Sequence, residues 1–449
     1  MRVSIVGGGV SGIVAAQRLH PEHEVVLYEA ADRLGGHTNT ITVERADGTW
    51  HVDTGFIVLN DRNYPNFNRL LRDAGVAIQP THMGFSVKAE DMNFEFAGTP
   101  RGVFSQRSNL IDPMFWRMIT DLLRFNRELN ALLAAGEDGP SLGEWVERRG
   151  YSPAFVDRLI VPQASAVWSA DPAAMWSFPV RFLAEFFHNH GMLGFRDRPQ
   201  WQTVVGGSQA YVAALTAPFA DRIRLGTPVT AITRDADGVT VQARGSDPER
   251  FDHAVLACHS DQALAVLADP SPVERELLGA FPYQPNEAVL HTDRTLLPRR
   301  RAAWQAWNYH LFAHPRPMTT VTYYMNHLQR LTAADDFCVS LNMTDRIDPA
   351  SIIAVIPYSH PVYTAAGVAA QARRAEVSGV RRTHYCGAYW GWGFHEDGVL
   401  SALRACAELG TASALRGAKR MPAVGEEAGA VVAAAGPLNA AADPGEEAL

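Results

Sequence analysis

The chain has 449 residues, of which 47% are hydrophobic and 20% are charged, and its formal net charge is −8. A chain of this length can bury more than one core, so we expect a globular protein of about two domains. The mild negative charge and the lack of a long basic block exclude an electrostatic nucleic-acid binder. A strand predicted from residue 2 leaves no room for a signal peptide, and no apolar run is long enough to cross a bilayer. We therefore expect a cytoplasmic location, with peripheral contact at the inner face of the membrane as an alternative.

The residue types that bind metals form no known ligand pattern in this sequence. The four cysteines, Cys258, Cys338, Cys386 and Cys406, are scattered without a C-x-x-C pair, which is typical of reduced thiols in a cytoplasmic protein. The pair His188 and His190 lacks further ligands at suitable spacing. We expect no metal site.

The first thirty residues have the order of elements of a dinucleotide-binding unit. The apolar run 2–6 predicts a strand, a glycine-rich turn follows at 7–12, and 13–20 predicts a helix. A second strand is predicted over 24–28, and it ends at the acidic residue Glu29. Strand, glycine turn, helix, strand and acid in this order form a dinucleotide fingerprint, which is more specific than a glycine pattern alone.

Each glycine of that fingerprint, and its terminal acid, has a physical role. Gly7 permits a tight turn, Gly9 lets backbone amides approach a pyrophosphate, and Gly12 permits close packing of helix and strand. The helix N-terminus offers unpaired N–H groups to phosphates. Glu29 is placed to accept hydrogen bonds from a ribose diol.

A second glycine pair follows the fingerprint, and here the sequence resembles a known family. The segment carries Arg33, Gly35 and Gly36, and with the fingerprint it resembles the FAD-binding start of the flavin amine oxidase, phytoene desaturase and protoporphyrinogen oxidase superfamily. The stretches 54–60 (TGFIVLN) and 392–398 (WGFHEDG) resemble one bacterial branch of it, the predicted NAD/FAD-binding proteins. A similar domain is fused to plant cyclopropane fatty acid synthases. The resemblance covers about residues 1–415.

The resemblance implies a fold and a cofactor. The fold is α/β, with a discontinuous Rossmann-like FAD-binding domain of the amine oxidase and glutathione reductase type and an inserted α+β substrate-binding domain. The cofactor is noncovalent FAD, and a strand like that at 227–229 meets its adenine through the backbone. The residues expected to contact FAD are Gly7, Gly9, Val10, Ser11, Gly12, Glu29, Ala30, Arg33, Gly35, Gly36, His37, Thr38, Val229, Gly387, Ala388, Gly398 and Val399.

Two excursions leave and rejoin the nucleotide-binding part of the chain. In the first, residues 113–134 carry apolar side chains at helical spacing and 176–188 is rich in phenylalanine; these side chains form helix core or line an apolar tunnel. In the second, alternation over 304–310 places Trp304, Ala306, Asn308 and His310 on one strand face, which forms either a cavity floor or a solvated face. The predicted division is an FAD-binding domain at 1–75, 201–258 and 374–415, a substrate-binding domain at 76–200 and 259–373, and a disordered tail at 416–449.

The glycine-rich loop near the C-terminus departs from the family pattern. Relatives place an acid directly after the glycine that matches Gly387, whereas this chain has Ala388. We predict a helix from Val399 to about residue 409, whose N-terminus would aim backbone donors at the cofactor. Gly387, Gly398 and Val399 are therefore expected to act through their backbone.

Four side chains are candidates for proton transfer in the reaction. His395, Glu396 and Tyr389 lie on the C-terminal loop, and Tyr309 lies in the second excursion. A group that moves a proton must lie within hydrogen-bond reach of the reacting atom. For His395 a structural role in packing or hydrogen bonding is the equal alternative.

Together these features predict an FAD-dependent oxidoreductase that acts on an apolar substrate. The resemblance points to an unsaturated, methylated or cyclopropane-type fatty acyl chain, with hydride transfer between a C–H or C=C unit and flavin. The alternatives are an amine oxidase, an FAD-dependent isomerase, and an FAD-containing lipid-binding accessory protein of a lipid methyltransferase. Since no second nucleotide fingerprint appears, the expected electron acceptor is oxygen, a quinone or another carrier.

Overall fold

The computed structural model describes residues 1–90, 93–194, 198–314 and 316–410, so the predicted tail lies outside the described residues. Its helices are α1 Val10–Leu19, α2 Pro65–Asp73, α3 Pro100–Val103, α4 Pro113–Ala135, α5 Leu142–Arg148, α6 Pro153–Phe155, α7 Val161–Trp168, α8 Val180–Asn189, α9 Gln209–Thr216, α10 Ser260–Val266, α11 Pro272–Leu278, α12 Met325–Leu328, α13 Ala365–Ala372 and α14 His395–Glu408. Single turns of 3₁₀ helix include Arg107–Ile111, Arg301–Ala303 and Ala388–Trp390.

The strands belong to five sheets. They are β1 Arg2–Val6, β2 Glu24–Tyr28, β3 Thr40–Arg45, β4 Gly48–Asp53, β5 Leu59–Asn60, β6 Ile78–Pro80, β7 Phe85–Ala89, β8 Phe94–Ala97, β9 Trp201–Val204, β10 Ile223–Arg224, β11 Val229–Arg234, β12 Val239–Ala243, β13 Glu249–Phe251, β14 His253–Leu256, β15 Tyr283–His291, β16 Trp307–Leu311, β17 Val321–Tyr324, β18 Cys338–Leu341, β19 Ile352–Pro361 and β20 Thr383–Tyr385.

A parallel sheet in the order β10-β2-β1-β14-β20 forms the centre of the nucleotide-binding part. In β1, Val3 and Ile5 pack into the core that contains α1 and α14, whereas Val6 faces the core beneath β11–β13. Residues 3–6 are all buried, because this strand is covered on both faces. The predicted α/β class is confirmed.

The two excursions meet in a mixed sheet of seven strands, in the order β19-β15-β18-β17-β16-β7-β8. β7 from the first excursion pairs in parallel with β16 from the second, with Val87 opposite Tyr309. Helices α4 to α8 pack on this sheet in one large apolar core. The domain boundaries stay a prediction, but this pairing shows how residues far apart in sequence share one layer.

The last helix begins four residues earlier than predicted. α14 starts at His395 instead of Val399, because the carboxylate of Asp397 accepts the N–H of Phe394 at 3.0 Å and closes the first turn. The shift places residues 395–398 inside the helix. None of the helices in the described part of the chain has the length and apolar character needed to cross a bilayer.

Candidate functional site

A cavity of about 1650 Å³ lies between the parallel sheet and the seven-stranded sheet. One part, which we call the glycine end, is lined by residues 6–11, 28–31, 33, 35–37 and 227–229 around the carboxyl edge of the parallel sheet. The other part, the apolar end, is lined by side chains of β7, β8, α4, α7, α8, β16 and β17. Crevices at the carboxyl edge of a parallel sheet are the usual place for a nucleotide.

The glycines of the first loop leave room that side chains would fill. Gly7 has φ +108°, and a Cβ there would lie 2.8 Å from the carbonyl oxygen of Ala257. A Cβ on Gly12 would lie 1.8 Å from the carbonyl oxygen of Gly7, so helix α1 packs directly on the turn. A Cβ on Gly9, in contrast, meets no atom within 4 Å. The backbone at Gly9 therefore faces open cavity space, as close approach of a pyrophosphate requires.

The second glycine pair is held against the first loop. The N–H of Gly35 donates to the carbonyl of Gly8 at 2.8 Å. Gly36 has φ +58°, and a Cβ there would lie 3.2 Å from the Cα of Gly9. The Arg33 guanidinium donates to the carbonyls of Gly36 and Thr38, each at 3.0 Å. Arg33 lines the cavity and braces this loop, and its predicted phosphate contact stays a prediction.

Glu29 is fixed at the edge of the glycine end. Its carboxylate accepts the N–H of Gly8 at 2.6 Å and that of Ala31 at 2.8 Å. The side chain thus connects the end of β2 to the glycine turn and presents its carboxylate to the cavity, where the ribose contact was predicted.

Most of the other predicted cofactor contacts also line the cavity, namely Val10, Ser11, Ala30, His37, Val229, Gly387 and Ala388. Gly398 and Val399 do not, and the prediction that they aim backbone donors at the cofactor is wrong. The N–H of Gly398 already donates to the carbonyl of Phe394 at 3.1 Å, and Val399 is fully buried in the core between α1 and α14. Both lie within the first turns of a helix that starts earlier than expected.

His395 lines the cavity from within a buried hydrogen-bonded cluster. Its Nε2 lies 3.0 Å from Thr38 Oγ1 and 3.1 Å from the hydroxyl of Tyr211, and its ring stacks on Phe56 with centroids 3.5 Å apart. Burial lowers the pKa of His395 to about 3, so the ring is neutral at ordinary pH. These contacts support the structural alternative. They also place Thr38 behind the cavity wall, since its hydroxyl is engaged by Tyr211 at 2.6 Å.

Glu396 faces away from the cavity and caps another helix. Its carboxylate accepts the N–H groups of Asn66 (3.0 Å) and Phe67 (2.9 Å) and the side-chain amide of Asn66 (2.6 Å), all at the start of α2. Burial is the main cause that raises the pKa of Glu396 to about 7. Its predicted role in proton transfer is contradicted, because each oxygen is occupied by backbone donors outside the cavity.

The two candidate tyrosines have different positions. Tyr389 lines the cavity, burial raises the pKa of its hydroxyl well above the usual range, and this hydroxyl has no hydrogen-bond partner among the described residues. Tyr309 does not line the cavity; it is 3% exposed within the helical core, and burial raises its pKa to about 12. Tyr309 is thereby removed from contact with a ligand in this cavity.

Neither alternative for the strand face over 304–310 holds, because Ala306, Asn308 and His310 are buried and do not line the cavity. The strand begins at Trp307, and Trp307 lines the cavity together with Tyr323 of β17. Asn308 points to the opposite side, where its side chain accepts from Ser86 Oγ at 2.7 Å and donates to the carbonyl of Thr322 at 3.0 Å. The alternation of residue types along the strand predicts that its two faces differ, but it does not predict which face lines the cavity.

The phenylalanine-rich stretch serves both purposes that the sequence left open. Phe186 and Phe187 of α8 line the cavity, and so do Ile119 and Leu122 of α4. Phe182 is 1% exposed in the helical core and stacks on Tyr363. The apolar end is therefore one face of the same helices whose other face forms the core.

Four buried polar atoms in the cavity wall have no partner among the described residues: His37 Nε2, the hydroxyls of Tyr363 and Tyr389, and Trp392 Nε1. Buried polar groups are normally hydrogen-bonded, so these atoms fit a bound ligand with polar atoms of its own. His37 also lies between two imidazoles that the sequence did not single out, His259 at 6.0 Å and His360 at 5.0 Å between ring centroids. Only the fold brings them together.

No cluster of metal-ligating side chains occurs within the described ranges. His190 donates from Nδ1 to the carbonyl of Phe186 at 2.9 Å instead. Cys386 is packed in the apolar core, and burial raises the pKa of its thiol. Glycines that leave open space, a braced second loop and unpartnered polar atoms fit a noncovalent dinucleotide at this site.

Comparisons with known proteins agree with this geometry. Residues 10–314 match the family model of flavin containing amine oxidoreductase. Human amine oxidase [flavin-containing] B is 26% identical over 256 residues, which cover 54% of this chain and 46% of that protein. The chain spans about half the length of the curated relatives it matches.

Solved structures share the fold at low sequence identity. Putrescine oxidase bound to putrescine has a TM-score of 0.65 at 14% identity, over 91% of this chain and 99% of that one. A fatty acid isomerase from P. acnes that produces CLA has a TM-score of 0.60 at 15% identity, over 89% and 96%. Because the family model matches residues 10–314, which is more than half of the chain, the chain belongs to the flavin containing amine oxidoreductase family, whose cofactor is FAD.

Proposed function

We propose that this chain is an FAD-dependent oxidoreductase acting on an unsaturated, methylated or cyclopropane-type fatty acyl chain. The observation that carries the proposal is the single cavity that joins a glycine end suited to a dinucleotide to an apolar end lined by aromatic and aliphatic side chains. Apolar pockets with a few placed polar groups favour ligands of the same character. A fatty acid isomerase of the same fold supports this substrate class.

The residues of the glycine end would hold the cofactor. Open space at Gly9, the carboxylate of Glu29 and the unpartnered His37 Nε2 offer contacts to phosphate, ribose and other polar atoms. When bound, FAD supplies the two-electron redox chemistry. The protein contributes binding, orientation and exclusion of water.

The apolar end would orient the acyl chain and keep water away from it. Trp307, Phe187 and Leu122 present apolar surface to the cavity, and burial of such surface stabilises a bound alkyl chain. Tyr389 keeps its hydroxyl proton, because burial raises its pKa well above the usual range, and can donate a hydrogen bond into the cavity. His395 is neutral and braces the wall.

Amine oxidation is the second candidate function. Curated relatives named amine oxidase and the putrescine oxidase structure favour it. Of three aromatic residues suited to an amine cage, Tyr389 and Trp392 line the cavity, whereas Trp390 packs on Phe281. Because Trp390 does not line the cavity, the aromatic cage is incomplete, and the acyl substrate is the better-supported candidate.

An anaerobic titration of the FAD-loaded protein tests the acyl substrate. We expect the flavin absorbance to bleach with an oxidisable acyl lipid, or a perturbed spectrum together with a moved double bond, detected by mass spectrometry, if the reaction is an isomerisation. Readmitted air then shows whether oxygen is the acceptor. If no acyl lipid alters the spectrum while an amine bleaches it and yields hydrogen peroxide in air, the acyl proposal is wrong.

A further inference from the structure

An exposed apolar surface lies beside the apolar end of the cavity. We call it the apolar rim and define it as Phe104, Leu110, Ile111, Met114, Trp116 and Leu123, which are 43–84% exposed. These six are half of the twelve large hydrophobic residues that are exposed in the described part of the chain. Single exposed apolar residues are ordinary, but such a concentration within twenty residues marks an interaction surface.

Contacts within the rim make it continuous. The ring of Phe104 lies 6.5 Å from that of Trp116, and Trp116 Nε1 donates to the carbonyl of Leu110 at 2.9 Å. Ile111, which is 84% exposed, ends the 3₁₀ turn directly before α4. Leu123 follows Trp116 by seven residues on α4, so the two share one helix face.

The rim is continuous with the cavity. Trp116 and Leu123 belong to both, because each lines the cavity and is more than 40% exposed. Val103 of the neighbouring helix α3 also lines the cavity. An apolar molecule that reaches the rim therefore meets side chains that also line the cavity.

Basic side chains flank the rim. Arg101 and Arg107 are exposed on the segment that carries it. Helix α3 also contacts the 3₁₀ turn Arg301–Ala303, and Arg300 reaches Gln106 at 3.4 Å and the buried Glu95 at 3.1 Å. These contacts bring the arginine run 299–301 beside the rim, with Arg299 and Arg301 exposed.

We propose that the apolar rim and its flanking arginines dock this protein on an anionic lipid bilayer, with the cavity opening facing the membrane. The proposal rests on the acyl substrate proposed above and supplies the route by which a membrane lipid enters the cavity. Apolar and aromatic side chains flanked by basic residues are the composition of surfaces that lie in the bilayer interface. Anionic headgroups attract adjacent arginines.

Vesicle flotation of the FAD-loaded full-length protein tests the docking surface. We expect binding to vesicles of phosphatidylcholine with phosphatidylglycerol, weaker binding to phosphatidylcholine alone, and weakening by salt. The double variant Leu110→Glu and Ile111→Glu should lower the vesicle affinity by at least about tenfold, because two inserted side chains become charged. Arg101→Gln and Arg107→Gln should each lower it roughly fivefold on anionic vesicles only.

A matched control is Val355→Glu, which charges an equally exposed apolar residue (48%) on β19, outside the rim. It should leave vesicle binding unchanged, and all variants should keep the flavin spectrum. Unchanged binding by the Leu110/Ile111 variant overturns the proposal. The proposal is also wrong if the unsubstituted protein does not bind vesicles but forms a dimer in solution that the Leu110/Ile111 variant abolishes. It is wrong as well if the protein binds vesicles only after residues 411–449 are removed.

The two proposals fail in distinguishable ways. If a detergent-dispersed acyl lipid alters the flavin spectrum but the protein never floats with vesicles, the docking surface is wrong and the substrate class stands. If the protein floats through the rim but no acyl lipid alters the flavin, the surface stands as a membrane contact and the acyl substrate is wrong.

Discussion

The glycine end and the apolar end share one cavity but are built from different parts of the chain. The glycine end is mainly backbone: Gly7, Gly9 and Gly36 matter because of the side chains they lack. The apolar end is mainly side chains, such as Trp307 and Phe187, that come from both excursions and meet through the pairing of β7 with β16. A backbone site needs a fixed local geometry, whereas a side-chain site needs only the right total shape.

This difference predicts different tolerance to substitution. A change at the glycine end either collides with a nearby backbone atom or occupies space meant for the cofactor. At the apolar end a change of volume alters which ligand fits and leaves the fold largely intact. Gly9→Leu and Trp307→Ala test that contrast, and His395→Gln tests the buried ring in the cavity wall; they follow from the largest expected effect to the smallest.

Gly9→Leu should abolish most FAD binding while leaving the apoprotein folded. A Cβ at Gly9 meets no protein atom within 4 Å, so the new side chain fills space that we assign to the cofactor. We expect FAD affinity to fall by roughly 100-fold, about 2.7 kcal/mol, measured by fluorescence titration of the apoprotein. Gly98→Leu is the control, because Gly98 lines the cavity outside the glycine end and its nearest non-local atom is 3.8 Å away. Equal loss of affinity in both variants would erase the contrast between the ends.

His395→Gln should reduce the dependence of the free energy of unfolding on pH between pH 7.5 and pH 5. Burial lowers the pKa of His395 to about 3, whereas the unfolded chain protonates near 6.5, so the contribution of His395 to the free energy of unfolding falls as pH drops below 6.5. This histidine alone accounts for a loss of about 2 kcal/mol between pH 7.5 and pH 5, which the glutamine variant should not show. Denaturant unfolding across this range measures it, with the exposed His82→Gln as control. A profile that keeps the full acid loss in His395→Gln would contradict the buried neutral ring.

Trp307→Ala should weaken the binding of an acyl chain by about tenfold, or 1.4 kcal/mol, and change FAD affinity by less than about twofold. The indole lines the apolar end, so its removal takes apolar surface from the ligand. Trp304→Ala is the matched control, since Trp304 lies three residues earlier, packs on Tyr324 and does not line the cavity. The flavin perturbation titrated with the acyl ligand gives both constants. A loss of FAD affinity equal to the loss of acyl affinity would show that the two ends are not separable.

Much of the glycine end could be predicted because its determinants are local. Residues 2–29 specify strand, turn, helix and strand within one segment, and β1, β2 and α1 appear there. The C-terminal loop was less predictable. The start of α14 depends on the hydrogen bond from the N–H of Phe394 to the carboxylate of Asp397, and the sequence spacing does not favour a start there over a start at Val399. That four-residue shift turned two expected cofactor contacts into core residues.

The apolar end was harder, because its determinants are long-range. Alternation showed that β16 has two faces, but pairing with β7 and β17 decided that Trp307 faces the cavity and Asn308 the polar side. Likewise His395 and Glu396 are neighbours in sequence, yet the helix directs one to the cavity wall and the other to the start of α2. Consecutive helical positions point about 100° apart, so adjacency does not imply a shared role.

The sequence by itself determined the α/β class, the glycine turns and the acid at the end of β2, because backbone conformations that favour glycine are dictated by the residues that adopt them. The tertiary structure alone decided which aromatic side chains line the cavity, that His37 meets His259 and His360, and that Trp116 and Leu123 of the apolar rim also line the cavity. The two histidine contacts join positions that are 222 and 323 residues apart in the chain. They depend on packing that no local pattern encodes.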